Sequence, residues 1–203
     1  MQKLREKLKN KKGFTLVEMI VVLAIIGILI ALIAPNMARI IKDAQETSDS
    51  AKAKTALTAA QAYATRQVSA GRSAQPTAGV AIPAASGGTS TAFMIELTDA
   101  QMKDAYITTT PPTTPGGTAT NTPSTDVFMS QSGDAYLNTN VVSGNDKLYA
   151  YISNEGAVMG MVYVNGTRIK AVAGFAPGGV TSGTFDTATL KDKTLSTADG
   201  KIS

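Results

Sequence analysis

The 203-residue sequence has no cysteine and no histidine. Those absences exclude a structural disulfide, a metal site built on thiolate or imidazole, and any Cys/His or Ser/His/Asp catalytic set. They do not place the chain inside a cell, because an extracellular fold with a sufficient core holds without crosslinks. Cofactor motifs and paired acid/base clusters are missing as well. The carboxylates are scattered, so the chain reads as a non-enzyme with no cofactor and no metal.

Basic character is also missing from most of the chain. Residues 1–13 hold six Lys or Arg against Glu6, a net charge of +5, whereas the other 190 residues hold 13 basic and 14 acidic side chains. The sequence pI near 9.2 therefore belongs to the first 13 residues and gives no argument for a nucleic-acid partner. The length suits one domain with a real core plus whatever its N-terminus does.

From Met19 to Ala34 run 16 residues without a charge or strong polar group, and counting back to Phe14 makes 21. As a helix this is roughly 30 Å, about the hydrocarbon thickness of a bilayer. A buried core helix fits badly, since the remaining Thr, Ser, Ala and Gly rich chain cannot build a shell around a helix that is apolar on all sides. A cleaved secretory signal also fits badly: the basic head and the apolar run are both long, and Leu32-Ile33-Ala34 lacks the small residue such a cleavage site needs. A single-pass anchor, with the basic end cytoplasmic and the rest outside, explains the length but leaves Glu18 unexplained. A carboxylate in an apolar helix is expensive and normally has a partner. The next basic residue is Arg39, so a partner of opposite charge is expected on another molecule.

The stretch Lys11-Lys12-Gly13-Phe14-Thr15-Leu16-Val17-Glu18 resembles the class III signal of type IV prepilins. The resemblance is close over residues 9 to about 40. It implies a leader of residues 1–13 cut after Gly13 by a membrane prepilin peptidase, and methylation of the new amine of Phe14. It also implies an assembly glutamate at Glu18, a frequent helix glycine at Gly27 and a proline at Pro35. An ammonium at Phe14 would supply the missing partner of Glu18 from a neighbouring subunit, fixing axial register as a single buried polar residue does in coiled coils. Pro35 lacks an N–H and its ring strikes the carbonyl of Ala31, so a kink or local melting is expected there, with Gly27 weakening the same stretch.

Residues 14–34 are thus expected as a transmembrane and filament-core helix, continued over 35–68 by an amphipathic stretch. Met37, Ile40, Ile41, Ala44, Ala51, Leu57 or Ala56, Ala60, Tyr63, Ala64 and Val68 form its apolar stripe. Residues 69–203 are expected as a globular head. Ser69 to Ser90 reads as a loop, containing Gly87-Gly88, and Thr98 with Gln101 as a capping box opening a helix over Asp99–Ala105. The Thr/Pro/Gly tract 108–125 reads as an exposed loop, with O-linked sugar as the sharper idea. Strands are expected over Ala135–Val142, Leu148–Ile152, Ala157–Val164 and Thr167–Ala173, the last two joined by a turn at Asn165-Gly166, with a weak strand at Gly183–Leu190.

The fold class is α+β: a long kinked N-terminal helix, transmembrane in its first half, packed on a small antiparallel sheet, the pilin fold. The function implied is a structural subunit of a type IV pilus, with a pseudopilin of a secretion or DNA-uptake machine, or a plain membrane-tethered module, as alternatives. The implied partners are other copies of the chain in a helical homo-oligomer, the prepilin peptidase, the assembly platform with minor pilins, and the membrane. The precursor would sit in the inner or cytoplasmic membrane and the assembled filament outside the cell. Gram-negative members of the family commonly staple the C-terminal region with a disulfide, so the lack of cysteine points to a Gram-positive source.

Overall fold

The computed structural model describes residues 14–84, 90–180 and 185–203. Expectations that fall on residues 1–13, including Gly13, on Gly87-Gly88 and on 183–184 lie outside these. The chain divides into two compact units, Met1–Gln45 and Glu46–Ser203.

The first unit, where described, is helix. It is the opening part of α1, Leu16–Ser69, which continues into the second unit and runs on through Pro35 without interruption in its helical assignment. In the second unit α1 buries Ala53, Ala56, Ala60, Tyr63, Ala64 and Gln67. Their spacing of three and four puts them on one side of the helix. The expected stripe is corrected: Met37, Ile40, Ile41, Ala44, Ala51 and Val68 are exposed, whereas Ala53 and Gln67 are buried, Gln67 held by its side-chain amide on the Asp126 carboxylate at 2.8 Å. The helix ends in a paired cap, with Arg72 N–H on the Gln67 carbonyl and Gly71 N–H on that of Val68.

After α1 come β1 (Ser73–Ala74), a 3-10 turn (Pro76–Ala78), β2 (Val80–Ala81), β3 (Ala92–Glu96) and α2 (Asp99–Ala105). They are followed by β4 (Tyr106–Thr110), β5 (Thr120–Pro123), β6 (Met129–Ser130), β7 (Leu137–Asn138), β8 (Asp146–Ser153), β9 (Val158–Asn165), β10 (Arg168–Gly174) and α3 (Thr187–Leu190). The main sheet is antiparallel in the order β10-β9-β8-β3-β2; β1-β4-β5 form a second sheet, and β6-β7 a short parallel pair. The α+β reading and the run from β8 to β10 stand.

Alternation along the strands serves two cores. Phe93, Ile95, Ala150, Ile152, Met161 and Tyr163 point to the face covered by the second part of α1, where alanines on the helix leave room for large side chains on the sheet. Met94, Tyr149, Tyr151, Val162, Val164 and Val172 point the other way and are covered by Ile82, Val180, Leu190 and Leu195. The tail is pinned without a disulfide: Ile169 N–H donates to Lys193, Leu195 N–H to Thr167, and the Tyr151 hydroxyl to the Gly200 carbonyl at 2.9 Å.

Other expectations are corrected. Ser69–Ser90 is not only loop, since β1 and β2 lie within it and join the two sheets. Ala135–Val142 is no strand of the main sheet: only Leu137–Asn138 is extended, pairing with β6, and Thr139–Val141 is a 3-10 turn. Its place in the main sheet is taken by β3, whose five residues pair with β8 from Ala92↔Ser153 to Glu96↔Tyr149. Arg168 pairs with Asn165, so the loop between β9 and β10 is Gly166-Thr167, one residue later than expected. In place of a strand at 183–190 the described residues form the short helix α3. Helix α2 has the expected bounds, with the Thr98 hydroxyl accepting from Gln101 N–H at 3.2 Å. The Gln101 side chain reaches back to the N–H of Glu96, not to that of Thr98 as a full capping box would have it.

Candidate functional site at the start of the apolar helix

Thr15 stands just before the first helical residue and Glu18 lies in the first turn, the spacing of a capping box. The Glu18 N–H donates to the Thr15 hydroxyl at 3.2 Å, and the Thr15 N–H donates to the Glu18 carboxylate at 3.4 Å. Two helix-end donors are thereby satisfied reciprocally, and the carboxylate sits at the positive end of the helix dipole. The charge argument made from sequence missed this role. Its signal was in plain sight, a threonine three residues before a glutamate at the edge of an apolar run.

Around this turn nothing is covered. Phe14 is 76 % exposed, and every residue from 14 to 45 is exposed, including all the large side chains from Leu16 to Ile41. Burying one such aliphatic side chain stabilises by about 1.5–3 kcal/mol, so leaving this set in water costs on the order of tens of kcal/mol. The helix is long and apolar enough to cross a membrane. A methyl group added at Gly27 would meet no atom within 4 Å, so among the described residues no contact requires glycine there. Pro35 lies within the continuous helix.

The head offers polar clusters with structural jobs. Asp99 accepts from the N–H groups of Phe128 and Met129 and pairs with Lys103 at 2.7 Å, tying the following loop to α2. Asp126 joins Arg66 and Gln67 of α1 to that loop. Asp146 accepts from the Tyr163 hydroxyl at 2.5 Å and from Asn165 at 2.7 Å, and Lys170 lies 3.3 Å away. Burial pushes its carboxyl up, but those hydrogen bonds and the Lys170 charge outweigh burial and hold it below the usual carboxylate range. Burial also raises the Tyr163 phenol far above its ordinary value, and the Asp146 carboxylate raises it further.

Among the described residues no group of three or more acidic side chains is placed to hold a metal. A depression of about 520 Å³ beside the end of α1 is lined by Gln61, Thr65, Val68 and Glu155 among others, with Glu155 its single acid and no basic partner. It offers no acid/base pair.

Residues 8–34 match the family model of the prokaryotic N-terminal methylation motif. Comparisons with curated proteins and with solved structures found no match to this chain. The motif implies processing by a prepilin peptidase and membrane association, and it speaks for a structural rather than a catalytic protein. At residues 8–34 the chain therefore carries the N-terminal methylation motif of type IV pilin-like and pseudopilin precursors.

Proposed function

We propose that the chain is a structural subunit of a type IV pilus, cut between Gly13 and Phe14, methylated at Phe14 and assembled with copies of itself. The observation that carries this reading is the uncovered apolar helix: its large apolar side chains from Leu16 to Ile41 are all exposed, while Glu46–Ser203 buries a core of its own. Before assembly the membrane covers that surface, and afterwards the equivalent helices of other subunits do. The assembly platform and minor pilins would move it from one environment to the other. Gly27 and Pro35 mark the stretch that yields during this transfer, because the amide of Pro35 cannot donate to the preceding turn.

Glu18 has two roles that can be separated. As part of the cap it supports the first turn, which glutamine does as well. As a charge it neutralises the Phe14 ammonium of a neighbouring subunit, and loss of one member of such a buried pair costs about 3–5 kcal/mol at every subunit. The test compares filament yield in sheared surface material with the membrane-bound pool, each variant being the sole copy. Glu18→Gln keeps the cap and is expected to leave the membrane pool intact while abolishing filaments. Thr15→Ala weakens the cap and keeps the charge, so filaments persist at reduced yield. Normal filaments from E18Q would exclude charge pairing, and recovery of a chain that still begins before Phe14 would overturn the processing itself.

A further inference from the structure

The second sheet contains a ribbon that contributes almost nothing to either core. Strand β4 leaves the interior at Tyr106 and Ile107, both buried, and β5 returns to it at the buried Ser124. Between them every residue from Thr108 to Pro123 is exposed. The pairing runs from Ile107↔Pro123 out to Thr110↔Thr120, so this is an ordered hairpin and not a slack loop. Its tip is also built. Gly117 N–H donates to the Thr114 carbonyl at 3.0 Å and Gly116 has φ +84, which with Pro115 makes a type II turn over Thr114-Pro115-Gly116-Gly117. A Cβ at Gly117 would lie 3.0 Å from Pro112 Cβ and 3.1 Å from Thr114 Oγ1, so the chain folds tightly back beneath these residues.

Over Thr108–Thr125 there are nine threonines and one serine, with no charge and no large apolar side chain. Packing explains none of this composition, and an exposed ribbon needing only solubility would be served by charged residues. Hydroxyl-rich, proline-punctuated tracts are the chemistry of O-linked glycan acceptors. We propose that this ribbon accepts O-linked sugar, with Thr113 and Thr114 at its tip as the modified side chains. These two lie outside the paired ladder and sit between Pro112 and Pro115, which keep the flanking backbone out of helix and free of competing N–H donors. The two hydroxyls are therefore presented to a transferase on an exposed turn. In the transfer, the threonine oxygen forms a bond to the anomeric carbon of a sugar carried on a diphosphate. The carbon–oxygen bond to that diphosphate breaks, the diphosphate leaves with the bonding electron pair, and the threonine proton passes to a base of the transferase. Nucleotide-linked and lipid-linked diphosphate sugars share this chemistry.

The test is the intact mass of the mature chain isolated from its own cells, with fragment mapping under conditions that keep O-glycosidic bonds. Whole-sugar increments confined to Thr113 and Thr114 are expected. A ladder of single-sugar increments would indicate stepwise addition from nucleotide-linked donors, and one fixed oligosaccharide mass would indicate block transfer from a lipid carrier. The double variant T113V/T114V keeps shape and should lose the increments entirely, while T113S/T114S keeps the hydroxyls and should retain them. A mature chain of unmodified mass overturns the proposal, as do increments mapped elsewhere or persisting in the valine variant.

Discussion

The two parts of α1 are continuous in backbone and opposite in everything else. From Met19 to Ala34 the helix carries large aliphatic side chains on all sides, and no described residue up to 45 is buried. From Glu46 onward it carries small residues on its covered side, with Ala53, Ala56 and Ala60 wholly inaccessible, and charged or hydroxyl residues elsewhere. Helix propensity cannot separate them, since aliphatic residues and alanine both tolerate helix. What separates them is where the compensating surface lies. The second part finds it in its own head, whereas the first must find it in lipid or in other chains.

The most drastic way to break the comparison is to cut it. A chain starting at Glu46 is expected to be soluble, monomeric and cooperatively folded, while the chain from Phe14 needs detergent or forms large assemblies. Sedimentation and thermal melting decide this, and an unfolded or aggregated product from Glu46 would show that the head depends on the first part after all.

A side-chain version is smaller. Tyr63 is fully buried and packs edge-on against Tyr106, Phe128 and Tyr136 at 5.3–6.0 Å between ring centres. Truncation to alanine should destabilise the head by about 3–5 kcal/mol. Ile26→Ala in the first part should leave head melting within about 0.5 kcal/mol of wild type. Equal losses from both substitutions would erase the distinction.

The smallest effect sharpens it electrostatically. Because the Asp146 carboxyl is held below its ordinary value in the fold, its contribution is fully present above the unfolded value of about 4 and is lost as pH falls through the lower folded value. Head melting should therefore weaken on acidification below about pH 4, and Asp146→Asn should start about 1–2 kcal/mol less stable with a shallower acid decline. Asp99 and Asp126, whose carboxyls are also lowered, leave a residual slope. An unchanged acid profile in D146N would show that the network does not carry this linkage.

How much of this was legible in the sequence varies by residue. The long helix, the cap of α2 and the strands β8 to β10 announced themselves, because capping residues and apolar alternation are local signals. Strand β3 did not. Its partner β8 lies more than 50 positions later, and five apolar-rich residues after a Gly/Ser stretch say nothing of that pairing. The covering of the outer sheet face was hidden for the same reason, since Val180, Leu190 and Leu195 are single apolar residues among Gly and Thr. At the candidate site the resemblance to prepilins pointed to Phe14, Glu18, Gly27 and Pro35, but the reciprocal Thr15–Glu18 bonds were overlooked in favour of charge.

Gly200 sets the order of events during synthesis. It has φ +66, and a Cβ there would stand 2.3 Å from Ile82 Cδ1, so its backbone lies directly against a residue from the early part of the head, and its carbonyl takes the Tyr151 hydroxyl. The sheet's outer layer therefore cannot close until residue 200 has left the ribosome, long after the apolar helix has emerged. Contacts that span so much chain also form slowly. The outer layer of the head is therefore the last part to close, after the strands it covers have all been made.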